Sequence, residues 1–504
     1  IFAMSPPGTR AQVTDTSAKW IWKNGIDATS RYQYNLEKRG TLGVPYSMVS
    51  PPTTQAAMNN WPGTRVAPVC WTDTLGRLYM FGGALNDQNS FNQVWRINAD
   101  SNTWTWMHGK TGYSSSVAMG QLVSGAGVPH PDNMPHNRHS GTFAVDSAGH
   151  AWIFGGYNNS TSKHRRNDLW KYDPYSNQWT YFNGATGLSS KTAGVYGTKN
   201  LPAQSNQPGS RGYGPGVAWV DNKTAKFYMF SGKGAAKSGS ADGILTDFWS
   251  FDMNSKMWTW IGGGDSATTS LVADYGQKGV PAASNFPQPR FYAASWTDKD
   301  GNFWMFGGYT TVWGKAIYLN DMWRYNPSDG LWTWMHGDKI DTLAMVKNGN
   351  NYGYFGVSGQ KGVPSPNNKP GSRQRPGRWV DAYGRLWLFG GLGLSETSTT
   401  FTRQNDIWMY DPATNEWTWM YGSKDGYNTA QGVPGNYVST PAAFPGGRDR
   451  AMCWVDKKGN VWTFGGNGGG TTGEPAIRSD LWKLEGTAPA APPGQPGAFT
   501  ASKA

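Results

Sequence analysis

Along most of the chain, apolar and aromatic residues alternate with polar ones at a period of two. The runs are bounded by Gly, Asp, Asn and Pro, the pattern of half-buried strands joined by tight turns. They recur in a fixed order. A strand ending in Phe-Gly-Gly occurs at Phe81, Phe154, Phe306, Phe389 and Phe464, with Phe230-Ser231-Gly232 as the variant, so that successive copies lie 73, 76, 76, 83 and 75 residues apart. Next comes a Trp two residues before an aromatic or aliphatic residue, at Trp95/Ile97, Trp170/Tyr172, Trp249/Phe251, Trp323/Tyr325, Trp408/Tyr410 and Trp482/Leu484. An alternating strand follows, Trp104-Thr105-Trp106, and returns at Trp179, Trp258, Trp332 and Trp417. Its sixth copy, Trp20-Ile21-Trp22, stands near the N-terminus, and the last repeat stops after Leu484 without one.

With a strand that enters after an Arg and ends near Trp-x-Asp (Trp71 to Asp73, Trp296 to Asp298), each repeat yields four strands. A four-stranded unit repeated around a circle is a propeller blade, and closing the circle leaves few edges exposed. The expected fold is all-β: a six-bladed β-propeller with four antiparallel strands per blade, closed by the N-terminal strand completing the last blade. Residues 19–485 form the propeller, 1–18 an N-terminal arm, and 486–504 a Pro/Ala/Gly-rich tail that reads as a linker or extended arm.

The double Gly, and a Tyr followed seven residues later by a Trp (Tyr172/Trp179, Tyr325/Trp332, Tyr410/Trp417), resemble the kelch repeat. The wording Asn167-Asp168-Leu169-Trp170-Lys171-Tyr172-Asp173-Pro174 is similar to its secreted, Trp-rich bacterial-type variants. The resemblance runs from Trp20 to Leu484 and implies the propeller fold. It leaves activity open, because kelch propellers serve as binding modules, enzymes and scaffolds alike.

In such a meander the first-to-second and third-to-fourth turns share one face, and the other loops share the opposite face. Turns of the first kind are short, as at Asp298-Lys299-Asp300-Gly301. The crossings from one blade to the next Arg span 43, 32, 30, 30, 39 and 29 residues. Most carry Gly-Val-Pro, beginning at Gly43, Gly127, Gly279, Gly362 and Gly432, with Asn200-Leu201-Pro202 in the remaining one. One heavily elaborated face is expected, where loops that carry function would stand on a rigid scaffold.

Composition narrows the setting. With 67 Gly, 28 Trp and 24 Tyr against 15% charged residues, the chain is turn-rich and aromatic. No run of about 18 apolar residues exists, so no membrane span is expected. The net charge of +12 comes from scattered Lys and Arg without a basic stripe, which speaks against nucleic acid. A start at Ile1 fits either a mature, secreted or cell-surface protein whose signal peptide has been removed or an incomplete sequence. Asn158, Asn159 and Asn222 open glycosylation tripeptides, the first two in a loop where a sugar would point outward.

Arg65, Arg138, Arg211, Arg290, Arg373 and Arg448 begin the six innermost strands, which places six guanidinium groups at the channel mouth. Their fork suits a carboxylate or another anionic ligand. Alternatively each pairs with a carboxylate or carbonyl of its own or the next blade, the reading that strict repetition favours. Asp73, Asp146, Asp221, Asp298, Asp381 and Asp456 read as turn caps, and the Asp of Asn-Asp-Leu-Trp is read in the same way. His130, His136 and His139 share a crossing, but their spacing is irregular and lacks a completing ligand, so no metal is assigned. His108 and His336 share a repeat position and read as structural. Tyr196, Tyr275, Tyr352, Tyr354 and Phe355 either stack on sugar rings or pin their own loops. Cys70 and Cys453 occupy equivalent places in blades one and six, where they either form a disulfide or remain buried thiols.

The leading reading is a non-catalytic extracellular structural or binding module, with a protein or copies of itself as partner. The terminal arms could join it into a filament or matrix by strand addition. The alternative is a lectin-like protein or an enzyme acting on sugars. Kelch-like propellers include copper radical oxidases and sialic-acid isomerising proteins. The oxidase needs His and Tyr copper ligands and a Cys-modified Tyr, whereas no His follows His336 and both Cys lie on inner strands. No base presents itself for the isomerase, so no catalytic residue and no cofactor is assigned.

Overall fold

Each repeat folds its alternating residues into an antiparallel meander. In blade one, Val69–Thr72, Leu78–Phe81, Val94–Asn98 and Thr103–His108 pair in that order from the axis outward. The computed structural model describes residues 19–24, 42–44, 60–85, 89–110, 120–158, 164–187, 192–237, 242–268, 273–425, 444–469 and 475–485. The expected terminal arms, Asn159 and Gly432 lie outside these residues.

The inner strands Val69–Thr72, Thr142–Val145, Val217–Asp221, Ala294–Thr297, Gly377–Val380 and Met452–Val455 neighbour one another in chain order, and the last returns to the first. Closure is by exchange of termini. Lys19–Asn24 completes the sixth blade against Leu481–Glu485, with Trp20 opposite Leu484 and Trp22 opposite Trp482. Six blades therefore form one ring. Its core lies between blades and is built of indoles: the twelve largest fully buried side chains are all Trp. Each large aromatic removes roughly 150–250 Å² from water.

The double Gly has a specific task. Pairing between the second and third strands slips at Phe154/Gly156, Phe306/Gly308 and Phe389/Gly391, making a bulge. Gly155 has φ +66°, and a Cβ there would stand 2.7 Å from the Arg211 carbonyl oxygen of the next blade. That close approach lets the second Gly donate its N–H across the blade boundary. Gly83 reaches the Arg138 carbonyl at 3.0 Å, Gly156 that of Arg211 at 2.9 Å, Gly232 that of Arg290 at 3.0 Å, and Gly466 that of Arg65 at 3.4 Å. In blade three Ser231 stands in for the first Gly, and its hydroxyl accepts the Arg290 N–H at 2.8 Å.

The crossings differ from the expectation of loops raised on one face. They strap the outer strand of the blade ahead. Gly43 donates its N–H to Trp106 O at 2.8 Å, Gly127 to Tyr181 O at 2.7 Å, Asn200 to Trp260 O at 2.8 Å, Gly279 to Trp334 O at 2.8 Å, and Gly362 to Trp419 O at 2.9 Å. Farther on, Nδ2 of Asn133, Asn206, Asn285 and Asn368 donates to the carbonyls of Trp179, Trp258, Trp332 and Trp417 at 2.9–3.1 Å. The physical reason is the edge itself: an open row of strand N–H and C=O groups must be paired or covered, and the straps cover it. Strap lysines also neutralise little of the surface, since Lys199 and Lys278 lie over Trp260 and Trp334, 4.6 and 4.3 Å from the ring centroids.

Candidate binding site at the axial mouth

The six repeat arginines do not present open guanidinium groups. All six are buried, and five fork onto an Asp two residues before the third-strand Trp of their own blade. The paired contacts are 2.7 and 2.7 Å for Arg138–Asp168, 3.0 and 2.9 Å for Arg211–Asp247, and 2.5 and 2.7 Å for Arg290–Asp321. They are 2.6 and 2.8 Å for Arg373–Asp406, and 2.9 and 3.0 Å for Arg448–Asp480. Blade one substitutes a neutral partner, with Gln93 Oε1 lying 3.4 Å from Arg65 and accepting Trp95 Nε1 at 3.0 Å.

The Asp of Asn-Asp-Leu-Trp is thus a buried counter-ion and not the turn cap expected from sequence. Its Oδ2 also accepts the indole N–H two residues on, as Asp168 does from Trp170 at 2.7 Å. Burial alone would raise the Asp168 carboxyl, but Arg138 more than offsets it and holds the pKa below the ordinary value. The other Asp series does cap turns. Asp298 Oδ1 accepts the N–H groups of Asp300 and Asn302, both at 2.9 Å, and its Oδ2 accepts Trp304 Nε1 at 2.7 Å.

With those arginines committed to the framework, the residues that line the axis are others, set at fixed offsets from them. Two positions after each Arg stand Ala67, Ser140, Tyr213, Tyr292, Arg375 and Arg450. All six are non-Gly residues in the left-handed region, with φ of 52, 54, 65, 62, 57 and 60°. Such a conformation costs an L-residue about 1–2 kcal/mol. It is held here by backbone bonds running around the mouth: Ser140 N–H to Ala67 O at 2.9 Å, Arg375 N–H to Tyr292 O at 2.9 Å, and Arg450 N–H to Arg375 O at 3.0 Å.

This ring is where the sixfold pattern breaks. On one side Tyr157 packs edge-on against Tyr213, with centroids 5.4 Å apart. On the other, Asp449 is approached by Arg403 at 2.8 Å, Arg450 at 3.1 Å and Arg375 at 3.6 Å. Among the described residues, three guanidinium groups gather on this one carboxylate. Below it opens a cavity of about 170 Å³ that residues of all six blades line.

Residues 147–184, spanning most of blade two, match the family model of the kelch motif. The chain is a six-bladed propeller that carries a kelch motif in its second blade. No curated protein matches it. Kelch propellers are in general protein-binding or structural modules.

The remaining sequence candidates fall into place on the kelch frame. Tyr196 and Tyr275 donate their hydroxyls to Asp247 and Asp321 at 2.8 and 3.0 Å, tying each strap to the buried ion pair of the blade ahead. Tyr354 donates to Lys339 O at 2.7 Å, while Tyr352 packs with Val312 and Ile317. Phe355 is half-buried in the same crossing. His130 pairs with the outer strand at Trp179, whereas His139 sits beneath the mouth with Nδ1 2.9 Å from Ser140 Oγ, so the His cluster is dispersed across the blade. Asn158 is buried in the strand Ala151–Asn158 and is no surface glycosylation acceptor. Asn222 is exposed, its Oδ1 accepting the Ser147 N–H at 2.8 Å. Cys70 and Cys453 are free thiols on neighbouring inner strands, the first Sγ lying 3.8 Å from the carbonyl oxygen of the second residue.

Sequence reasoning missed Tyr213, Tyr292, Arg375, Arg450 and Asp449. The signal that could have found them was present: aligning the six copies on their Arg shows which nearby columns repeat and which do not.

Proposed function

We propose that this kelch propeller is a non-catalytic binding module that takes an acidic protein partner at its axial mouth. The observation that supports it is the ring two residues after each Arg, where strained backbone carries Tyr213 and Tyr292 on one arc and Arg375 and Arg450 on the other. Strain of this kind gathers where side chains must be aimed. Aromatic and Arg side chains are also the residue types that anchor interfaces. The surrounding blades supply rigidity, and the asymmetry of the ring gives the partner one orientation. In this reading the module works outside the cell, and assembly into a filament is the case in which the acidic partner is a second copy.

The test is photo-crosslinking from position 213 in the native setting, with position 343 on the blade-four periphery as reference. A partner trapped from 213 and not from 343, and lost on Arg450→Glu, supports the reading. Equal trapping at both positions, or binding indifferent to Arg450→Glu, overturns it. The exposed ring of Tyr213 also suits the face of a sugar. An acidic glycan is therefore the second reading, and a glycan array with the same variant separates the two.

A further inference from the structure

Five positions after each repeat Arg the inner strands present Cys70, Phe143, Gly216, Ser295, Arg378 and Cys453. This layer lies below the mouth, and Arg378 is the single charged side chain in it. Arg378 lines both the upper cavity and the space farther down the axis, beside Trp219, Ser295 and Trp296. Its guanidinium lies 4.9 Å from the centroid of Phe143, a residue that lines the same cavity. Among the described residues it makes no hydrogen bond and no ion pair. Its neighbours in the layer are the thiols of Cys70 and Cys453, which burial keeps protonated, and desolvation pulls the Arg378 pKa below the ordinary value.

Arg378 is half-buried on the axis, and a partly desolvated cation without a counter-ion is stabilised by a ligand that supplies the missing charge. Five of the six repeat arginines have a carboxylate, Asp168, Asp247, Asp321, Asp406 and Asp480, while Arg65 is bonded to Gln93 Oε1 and the Pro62 carbonyl, and Arg375 and Arg450 share Asp449. Arg378 has neither a carboxylate nor a neutral acceptor among the described residues. A planar fork pairs best with two oxygens on one carbon. The cavity above it, at about 170 Å³, has room for a few heavy atoms and lies below the range of about 300–1,000 Å³ usual for larger ligands. Gly377 next to it keeps the space open for the neighbouring thiol, since a Cβ there would stand 2.3 Å from Cys453 Sγ.

We propose that the axial cavity is a carboxylate site, in which Arg378 grips a small monocarboxylate in a bidentate pair between Phe143 and the two thiols. The carboxylate is either a free small acid or an acidic side chain that a partner inserts through the mouth. In the second case the inference rests on the partner reading, and in the first it stands alone.

The experiment is a titration of the full chain with acetate at constant ionic strength set by chloride, read as thermal midpoint and by calorimetry. The expected result is a saturable rise in midpoint with acetate, absent in Arg378→Met and weakened at least tenfold in Arg378→Lys, which keeps the charge and loses the fork. Without acetate, Arg378→Met is expected to melt no lower than the parent, because it removes a half-buried charge that has no counter-ion among the described residues. A cooperative melt at that temperature also shows that the variant folds. No saturable effect of acetate on the parent, an equal effect on Arg378→Met, or an equal effect of chloride alone overturns the proposal. Saturating acetate that blocks crosslinking from position 213 assigns the carboxylate to a partner, and unchanged crosslinking assigns it to a free acid. Arg450→Glu tests the mouth separately, since its loss of partner with acetate binding retained would leave Arg378 in place.

Discussion

The guanidinium of Arg375 lies 3.9 Å from the ring centroid of Tyr292, on the neighbouring blade, and the Arg375 N–H donates to the Tyr292 carbonyl at 2.9 Å. Side chain and backbone thus join the same two residues across a blade boundary at the axis. A partly desolvated cation–π pair of this kind contributes about 1–2 kcal/mol. A double-mutant cycle with Tyr292→Ala and Arg375→Ala should show coupling of about 1 kcal/mol in chemical denaturation, and additive losses would contradict the contact.

Removing the counter-ion of a framework arginine should cost far more. Asp247→Ala strands Arg211, Trp249 Nε1 and the Tyr196 hydroxyl together, all of which point at that carboxylate. Breaking a buried pair from one side costs about 3–5 kcal/mol. Gln93→Ala in blade one removes a neutral partner and should cost about 1–3 kcal/mol. Urea midpoints of the two variants check the order, and similar losses would mean that the charge at Asp247 adds nothing.

The straps should protect against association as well as unfolding. Asn285 Nδ2 bridges Val280 O and Trp332 O, both at 2.9 Å. Asn285→Ala removes both bonds, for a loss of about 1–3 kcal/mol. It also frees the outer edge Leu331–His336, so light scattering at elevated temperature should rise faster than for the parent.

Acid should destabilise the ring before its carboxylates titrate. Burial, and then Arg450 and Arg375, push His139 to about 3, while burial with Arg166 and Arg138 takes His136 to about 3. In the unfolded chain both titrate near about 6.5. The folded values are the lower ones, so the unfolded state binds more protons. Stability is therefore flat above roughly pH 7.5 and falls as pH drops from about 6.5 towards 3. The limiting slope for buried His139 is about 1.4 kcal/mol per pH unit. Urea midpoints at neutral and mildly acidic pH should diverge for the parent and diverge less for His139→Gln, in which His136 still contributes.

The repeat was legible in the sequence because a strand shows its faces in a period of two, and a strap or a turn shows itself in Gly, Asp, Asn and Pro. Six copies in register were enough to give the blade count, the four strands of each, and closure by Trp20 to Trp22. The turn caps at Asp298 and its equivalents followed from local spacing alone, since donor and acceptor lie within a few residues.

The pairings of the arginines did not follow, because Arg211 and Asp247 meet only when the first and third strands fold beside the same bulge, and no local rule links them. The sequence likewise marked the crossings as long but not where they run. That was decided by the open outer edge of each blade, which any nearby backbone lowers its free energy by covering. The axial site is the clearest case. Tyr292, Arg375, Arg378 and Arg450 are scattered along the chain, and only ring closure brings them to one cavity, where three arginines meet near one carboxylate, Asp449.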